Sequence, residues 1–165
     1  MKKYTKWIII GVIVLAIVGI ALNQKEEEEK EAKRKKDFKQ NEVATYENVD
    51  YTIVKVEKTQ GTNEYIKPKE GMEYVKVTLR IENKSDKKIS YNQIDWKMVN
   101  SDGVEDTFGA ITAEQDVSLS SGNLDAGGKV EGVLIWEQKI NDDNLRLRYY
   151  KTITDKDYTL QFKLD

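Results

Sequence analysis

The chain has 165 residues and a formal net charge of −2, and it contains neither cysteine nor histidine. The lack of cysteine excludes disulfides, thiolate metal sites, a cysteine nucleophile and a lipid-modified cysteine. The lack of histidine excludes a Ser-His-Asp triad, so any catalysis has to rest on side chains such as Asp, Glu, Lys, Ser or Tyr.

An uninterrupted apolar segment occupies residues 7–22 (WIIIGVIVLAIVGIAL). As a helix it spans about 24 Å, close to the roughly 30 Å hydrocarbon core, and it has no polar stripe of the kind that soluble helices carry. Three lysines lie in residues 1–6, whereas Glu26–Glu29 follow the segment. The positive-inside rule therefore predicts a cytoplasmic basic tail at 1–6, a transmembrane helix at 7–22 and an extracytoplasmic remainder.

Two interpretations of this apolar segment stay open. The first is an uncleaved signal-anchor, which gives a single-pass membrane protein with a cytoplasmic N-terminus and an extracellular domain. The second is a signal peptide, because Gly19 and Ala21 have the spacing that signal peptidase requires, and cleavage near Ala21 would release a secreted protein. Both interpretations export the domain.

Residues 23–42 carry seven basic and seven acidic residues. Acid-base pairs four residues apart favour a helix, but there are too few apolar residues to form the seam of a coiled coil. This composition predicts a solvated charged stalk at 23–42, followed by a domain at 43–165.

The domain is dominated by an apolar-polar alternation with a period of two, clearest at Val75, Val77, Leu79 and Ile81. That pattern is typical of a strand with one buried face. Comparable runs occur at 50–58, 129–137, 145–150 and 158–164. Turn signals separate the runs and no amphipathic helix is evident, so an all-β, antiparallel β-sandwich is predicted.

Two further features of the domain give specific expectations. The apolar phase slips between Ile89 and Val99, which indicates a bulge or strand break near Gln93. Trp96 and Trp136 lie in the apolar phase of their runs, and we expect both to belong to the core.

Three blocks of the domain resemble a known family: residues 71–85 (GMEYVKVTLRIENKS), 100–103 (NSDG) and 124–137 (LDAGGKVEGVLIWE). They are similar to a family of immunoglobulin-like extracytoplasmic domains of unknown function from Gram-positive bacteria. The resemblance implies a fold akin to that of a mycobacterial secreted antigen, and members are sometimes mislabelled as telomeric-repeat-binding. Many members are lipoproteins, whereas this chain lacks the cysteine, so its anchoring is expected to differ. The family supplies no catalytic residues.

Acidic residues are the main candidates for chemistry. Three acidic groups are candidates for calcium but are predicted to be turn residues, because none has the spacing of a ligand loop: Asp102 with Glu105 and Asp106, Asp142 with Asp143 and Asn144, and Asp155 with Asp157. The stretch 98–128 contains six acidic residues and no basic one. It is the place where a partner-binding surface is expected, with an ordinary acidic loop as the alternative.

The sequence assigns no catalytic, cofactor-binding, metal-binding or ligand-binding residue. Residues 43–165 contain 17 basic and 22 acidic residues, which argues against nucleic acid as a partner. We expect a non-catalytic binding or interaction module that contacts the membrane through residues 7–22 and recognises an envelope protein or a cell-wall polymer. A small hydrolase that uses Asp and Glu, and a structural spacer of an envelope or secretion assembly, remain as alternatives.

Overall fold

Strands dominate the part of the chain that the structure, a computed structural model, describes: residues 36–61, 67–107 and 118–164, together with Ile20 and Gln24. The chain divides into two units, residues 1–35 and 36–165, and nearly all described residues belong to the second. The predicted transmembrane segment lies, apart from Ile20, outside the described residues. Within those residues, no helix has the length and apolar content that a membrane crossing needs.

Two sheets face each other across one core. The strands are β1 (Asp37–Lys39), β2 (Val43–Tyr46), β3 (Val49–Thr59), β4 (Met72–Asn83), β5 (Ile89–Tyr91), β6 (Trp96–Val99), β7 (Glu105–Thr107), β8 (Gly122–Leu124), β9 (Lys129–Lys139), β10 (Arg146–Tyr149) and β11 (Leu160–Lys163). One sheet has the order β2-β3-β4-β9, the other β1-β11-β10-β6-β7, and β5 pairs with β8 alone. The β1–β11 pair is parallel, and the other strand pairs are antiparallel. The prediction of an all-β sandwich is confirmed for the described residues.

The core is built from the alternation that the sequence shows. Val75, Val77 and Leu79 of β4 are 0% exposed, and they pack in one cluster with residues of the opposite sheet such as Trp96 and Phe162. Burial of an aliphatic side chain of this size contributes roughly 1.5–3 kcal/mol. The predicted burial of Trp96 and Trp136 is confirmed, since each is 1% exposed.

The predicted break near Gln93 is a change of sheet. A 3-10 turn at Gln93–Asp95 follows β5, and β6 begins at Trp96 in the five-stranded sheet. The side chain of Asn92 caps this turn, because its Oδ1 accepts a hydrogen bond from the Ile94 amide at 3.2 Å. The apolar phase slips because the two halves of the run pack in different sheets.

The folded unit starts earlier than the pattern predicts. Residues 37–39, which the sequence analysis places in the stalk, form β1, and the Phe38 ring lies 5.6 Å from that of Phe162. A strand this short contributes a single buried apolar residue, Phe38, between two charged neighbours. It therefore produces no alternation that could separate it from a charged stalk.

Candidate functional site

A polar cleft lies beside the small β5–β8 sheet and has a volume of about 590 Å³. We call it the Asp95 cleft. A narrower space of about 10 Å³, the aromatic recess, lies beside it and shares Ser90, Tyr91, Asn92 and Asp95 with it. The other described residues that line the cleft are Ser121, Gly122, Asn123 and Lys151, and those that line the recess are Tyr51, Ile81, Ile89, Trp96 and Tyr149.

The pairing of β5 with β8 shapes this cleft. Ser90 lies opposite Asn123, and Tyr91 lies opposite Gly122. A Cβ atom on Gly122 would lie 2.6 Å from the Tyr91 hydroxyl oxygen and 2.8 Å from the ring, closer than real contacts permit. Glycine at position 122 therefore lets the Tyr91 ring lie directly against β8.

Asp95 is the ionisable group at the junction of cleft and recess. The 3-10 turn and the residue after β10 fix its backbone, since its amide donates to the Asn92 carbonyl at 3.3 Å and its carbonyl accepts from the Tyr150 amide at 2.8 Å. Its carboxylate has no hydrogen-bond or ion-pair partner among the described residues. Because burial removes water without supplying a donor, the pKa of Asp95 is raised to about 6.

Three aromatic rings from three strands form the wall of the recess. The ring centroids of Tyr51 and Tyr149 are 4.9 Å apart, those of Trp96 and Tyr149 are 5.0 Å apart, and those of Tyr51 and Trp96 are 5.7 Å apart. Burial is the main reason that the pKa values of Tyr51 and Tyr149 are raised, and the charge of Asp95 raises both further. Both phenols are therefore neutral at physiological pH.

Lys151 supplies a cation at the mouth of the Asp95 cleft. Its ammonium pairs with the carboxylate of Glu47 and lies 5.6 Å from the centroid of the Tyr46 ring. The hydrogen bond to Glu47 is the main reason that the pKa of Lys151 is raised.

A second polar region lies on the five-stranded sheet, and its groups are joined to one another. We call it the Glu105 belt; it comprises Asp37, Lys97, Glu105, Arg148, Tyr150 and Gln161. Glu105 accepts from Lys97 at 2.9 Å, from Arg148 at 3.2 Å and from the Tyr150 hydroxyl at 2.5 Å. Gln161 continues the chain, because it accepts from Arg148 at 2.8 Å and donates to Asp37 at 2.6 Å. Burial alone would raise the pKa of Glu105, but these donors together lower it.

The acidic residues singled out from the sequence do not form a common site. Asp102 pairs with Lys139, Asp106 accepts from Gln138, and Asp125 pairs with Lys88. Of the same acidic stretch, Glu114 and Asp116 lie outside the described residues.

Two of the residues weighed for calcium make local hydrogen bonds instead. The carboxylate of Asp142 accepts from the amide of Ser101 at 3.2 Å and from the amide of Asn144 at 3.3 Å. That of Asp155 accepts from the amide of Thr152 at 2.9 Å. In the ranges that the structure describes, no three acidic side chains come together as metal ligands would.

Sequence reasoning missed the Asp95 cleft. Tyr51 and Tyr149 of the adjoining recess fit ordinary strand patterns, and no motif surrounds Asp95. The one available signal is the phase slip near Gln93, because the 3-10 turn that causes it also carries Asp95 out of the strand alternation.

Comparison with known proteins identifies the family of this chain. The family model described as a domain of unknown function, DUF4352, matches residues 38–159. The chain belongs to this family. The match begins within β1, and the family resemblance predicted from the sequence is confirmed. No curated protein matches the chain.

Solved structures of Bacillus proteins share the fold of this chain. The YjhA protein of Bacillus subtilis is 23% identical with a TM-score of 0.59, over 78% of this chain and 99% of that one. The predicted lipoprotein YcdA of Bacillus subtilis strain 168 is 17% identical with a TM-score of 0.61, over 76% of this chain but only 38% of YcdA. A conserved hypothetical protein of Bacillus anthracis is 12% identical with a TM-score of 0.51, over 67% of this chain and 87% of that one.

Proposed function

We propose that this protein is a non-catalytic binding module that takes its ligand in the Asp95 cleft. The observation that carries the proposal is the Asp95 carboxylate, which is half-buried beside aromatic rings without a partner among the described residues. An ionisable group held in this way destabilises the empty fold, and such groups are typical of binding and active sites. A ligand that pairs with the carboxylate offsets that cost.

The composition of the cleft favours binding over hydrolysis. A glycosidase needs two carboxyl groups about 5–9 Å apart that flank the scissile bond. Among the described residues that line the cleft and the recess, Asp95 is the sole carboxylate. A structural spacer, the other alternative, has no use for a polar cleft with an unpaired carboxylate at its base.

We further propose that the domain is immunoglobulin-like and is displayed outside the cytoplasmic membrane on the charged stalk. The two packed sheets and the DUF4352 family membership support the first part. The lysines before the apolar segment and the glutamates after it support the second. The fold shared with YcdA, a predicted lipoprotein, agrees with such a location.

Topology is tested with a single cysteine, since the chain contains none. Lys156 is exposed and lies outside the cleft lining, so Lys156→Cys offers a reactive thiol on the domain surface. In intact cells, a membrane-impermeant thiol reagent should label this variant fully. Labelling that occurs only after lysis would contradict an extracytoplasmic domain.

A cell-wall polymer is the partner class that the cleft fits best. Its lining is rich in hydroxyl and amide groups, from Ser90, Ser121, Asn92 and Asn123, which pair well with a hydroxylated polymer.

Binding is tested by co-sedimentation of the full chain, in mild detergent, with purified Gram-positive cell walls. We expect Asn123→Trp, which fills the cleft, to lower the bound fraction at least tenfold. Asn144→Trp is the matched control, because Asn144 is exposed and lines a separate groove with Ser101 and Lys163. No sedimentation of the wild type, or equal losses in both variants, would contradict the proposal.

A further inference from the structure

We propose that the ligand of the Asp95 cleft is a saccharide with a free primary ammonium group, which enters the aromatic recess and pairs with the Asp95 carboxylate. This inference rests on the proposed binding function and names its ligand class. It follows from the size of the recess, the Asp95 carboxylate that lines it and the chemistry of the adjoining cleft.

The size of the recess selects a small group. Its volume of about 10 Å³ is close to the space that a single water molecule needs. A primary ammonium group is of similar size, whereas a trimethylammonium group or a ring is much larger. The ligand therefore places one small group in the recess and keeps its body in the wider cleft of about 590 Å³.

The charge and the walls of the recess select a cation. The Asp95 carboxylate can accept several hydrogen bonds and receives none from the described residues. Tyr51, Trp96 and Tyr149 provide aromatic surface, which attracts cations through the ring quadrupole. An anion or a second carboxylate would meet repulsion from Asp95, and a methyl group would leave the carboxylate unpaired.

The wider cleft selects the body of the ligand. Apart from the Tyr91 ring, its described lining consists mostly of hydroxyl, amide and charged groups. Sugars match this surface, because they carry hydroxyls in several directions and an apolar ring face that packs on an aromatic side chain. A peptide would bring apolar side chains for which this lining offers little complementary surface.

Asp95 is the sole carboxylate among the described residues that line the cleft and the recess, and its pKa of about 6 lies just below the pH of the test. Lys151 at the mouth is already paired with Glu47. Tyr51 and Tyr149 have raised pKa values and stay neutral. Ligand affinity should therefore depend on pH through Asp95.

The test is an NMR titration of the isotope-labelled full chain in nanodiscs with defined sugars at pH 7. Glucosamine should bind at least tenfold more tightly than N-acetylglucosamine, in which the ammonium is replaced by a neutral amide. The N-trimethylated derivative of glucosamine, equally charged but larger, should bind as weakly as the acetylated sugar. Asp95→Asn should abolish the preference for glucosamine, and so should lowering the pH of the wild-type sample to 4.5, where Asp95 is protonated.

The outcomes separate the ligand assignment from the binding function. Equal binding of the charged and the acetylated sugar, lost in Asn123→Trp, overturns the ammonium assignment and leaves the binding function standing. Tighter binding of a lysine tripeptide than of glucosamine overturns the saccharide. If neither sugar nor cell walls bind, both proposals fail. If the Asp95→Asn variant does not fold, the measurement on the wild type at pH 4.5 still tests whether the carboxylate is responsible for the preference for glucosamine.

Discussion

The Glu105 belt and the Asp95 cleft each contain a partly buried carboxylate, but the two carboxylates differ in their hydrogen-bond partners and in the direction in which their pKa values are shifted. Glu105 receives three hydrogen bonds from Lys97, Arg148 and Tyr150, and its pKa is lowered. Asp95 receives none from the described residues, and its pKa is raised to about 6. The two groups lie near the same sheet, since Asp95 ends the 3-10 turn directly before β6, and β6 pairs with β7, which starts at Glu105.

The difference separates a structural polar group from a functional one. A buried charge that is fully hydrogen-bonded contributes to the fold, whereas one without partners lowers the stability of the empty fold. An unpaired carboxylate is thus a better guide to the ligand site than the density of acidic residues. The acidic stretch 98–128, which looked most promising in the sequence, contains Glu105 and is largely paired where it is described.

The largest expected effect comes from the core on which both regions rest, and it sets the scale for the comparison. Leu79 is 0% exposed, so Leu79→Ala should lower the free energy of unfolding by about 2–5 kcal/mol. Its neighbours on the outer face serve as controls: Thr78→Ala should stay within roughly 0.5 kcal/mol, and Arg80→Ala, which also breaks the exposed pair with Glu131, should cost less than about 1 kcal/mol. Urea denaturation of the full chain in mild detergent measures all three. Equal losses at the three positions would contradict the period-two packing.

The Glu105 belt should give the next largest effect. Glu105→Gln removes the charge while preserving size, and we expect a loss of about 1–3 kcal/mol at pH 7, because Lys97 and Arg148 lose the negative charge of their common partner and one of its two acceptor oxygens becomes a donor. Since the pKa of Glu105 is lowered in the folded state, its contribution is present above the unfolded pKa and disappears as the pH falls through the folded one. The deficit of the variant should therefore vanish in acid.

An exposed ion pair provides the control for Glu105. Glu131 bonds Arg80 at 2.8 Å with both side chains about one-third or more exposed, so Glu131→Gln should cost less than about 1 kcal/mol. If Glu131→Gln costs as much as Glu105→Gln, the belt has no special structural importance.

The Asp95 cleft should give the smallest effect, and in the opposite direction. Asp95→Asn should raise the free energy of unfolding at pH 7 by up to about 1 kcal/mol, a modest gain because the carboxylate is half-exposed and water screens it. The folded-state pKa of this acid is raised, so its destabilisation is present above about pH 6 and disappears as the pH falls towards the unfolded value. The stability gained by Asp95→Asn should therefore be present above about pH 6 and disappear as the pH falls.

Asp86 is the matched control for that measurement, because it is exposed and its conversion to Asn should change the free energy of unfolding by less than about 0.5 kcal/mol. A loss of stability in Asp95→Asn at pH 7 would show that the carboxylate has a structural role, and it would remove the contrast with Glu105.

The sequence predicts the sandwich well because its strands are long enough for alternation to be visible. Strand β4 is the clearest case, with alternate residues from Val75 to Ile81 buried as expected. In β3 the inward phase changes from Ile53 to Val56, because the register shifts between Ile53 and Lys55. Such a shift depends on the neighbouring strand, so one strand's pattern does not reveal it.

The Asp95 cleft could not be predicted, because it is a product of tertiary contacts. Tyr51, Asp95 and Tyr149 belong to β3, the 3-10 turn and β10, and only the closed sandwich brings them together. The absence of a donor for Asp95 is likewise a property of its surroundings. In the sequence it is one acid among many.

The parallel pairing of β1 with β11 has a consequence for aggregation. Together with the bond from the Gln161 amide to the Lys36 carbonyl at 2.7 Å, β1 covers backbone groups of β11 that would otherwise form an open sheet edge. An open edge is a template for the strand of another molecule. A soluble fragment that begins at Lys36 should therefore stay monomeric, whereas one that begins at Val43 should self-associate through β11.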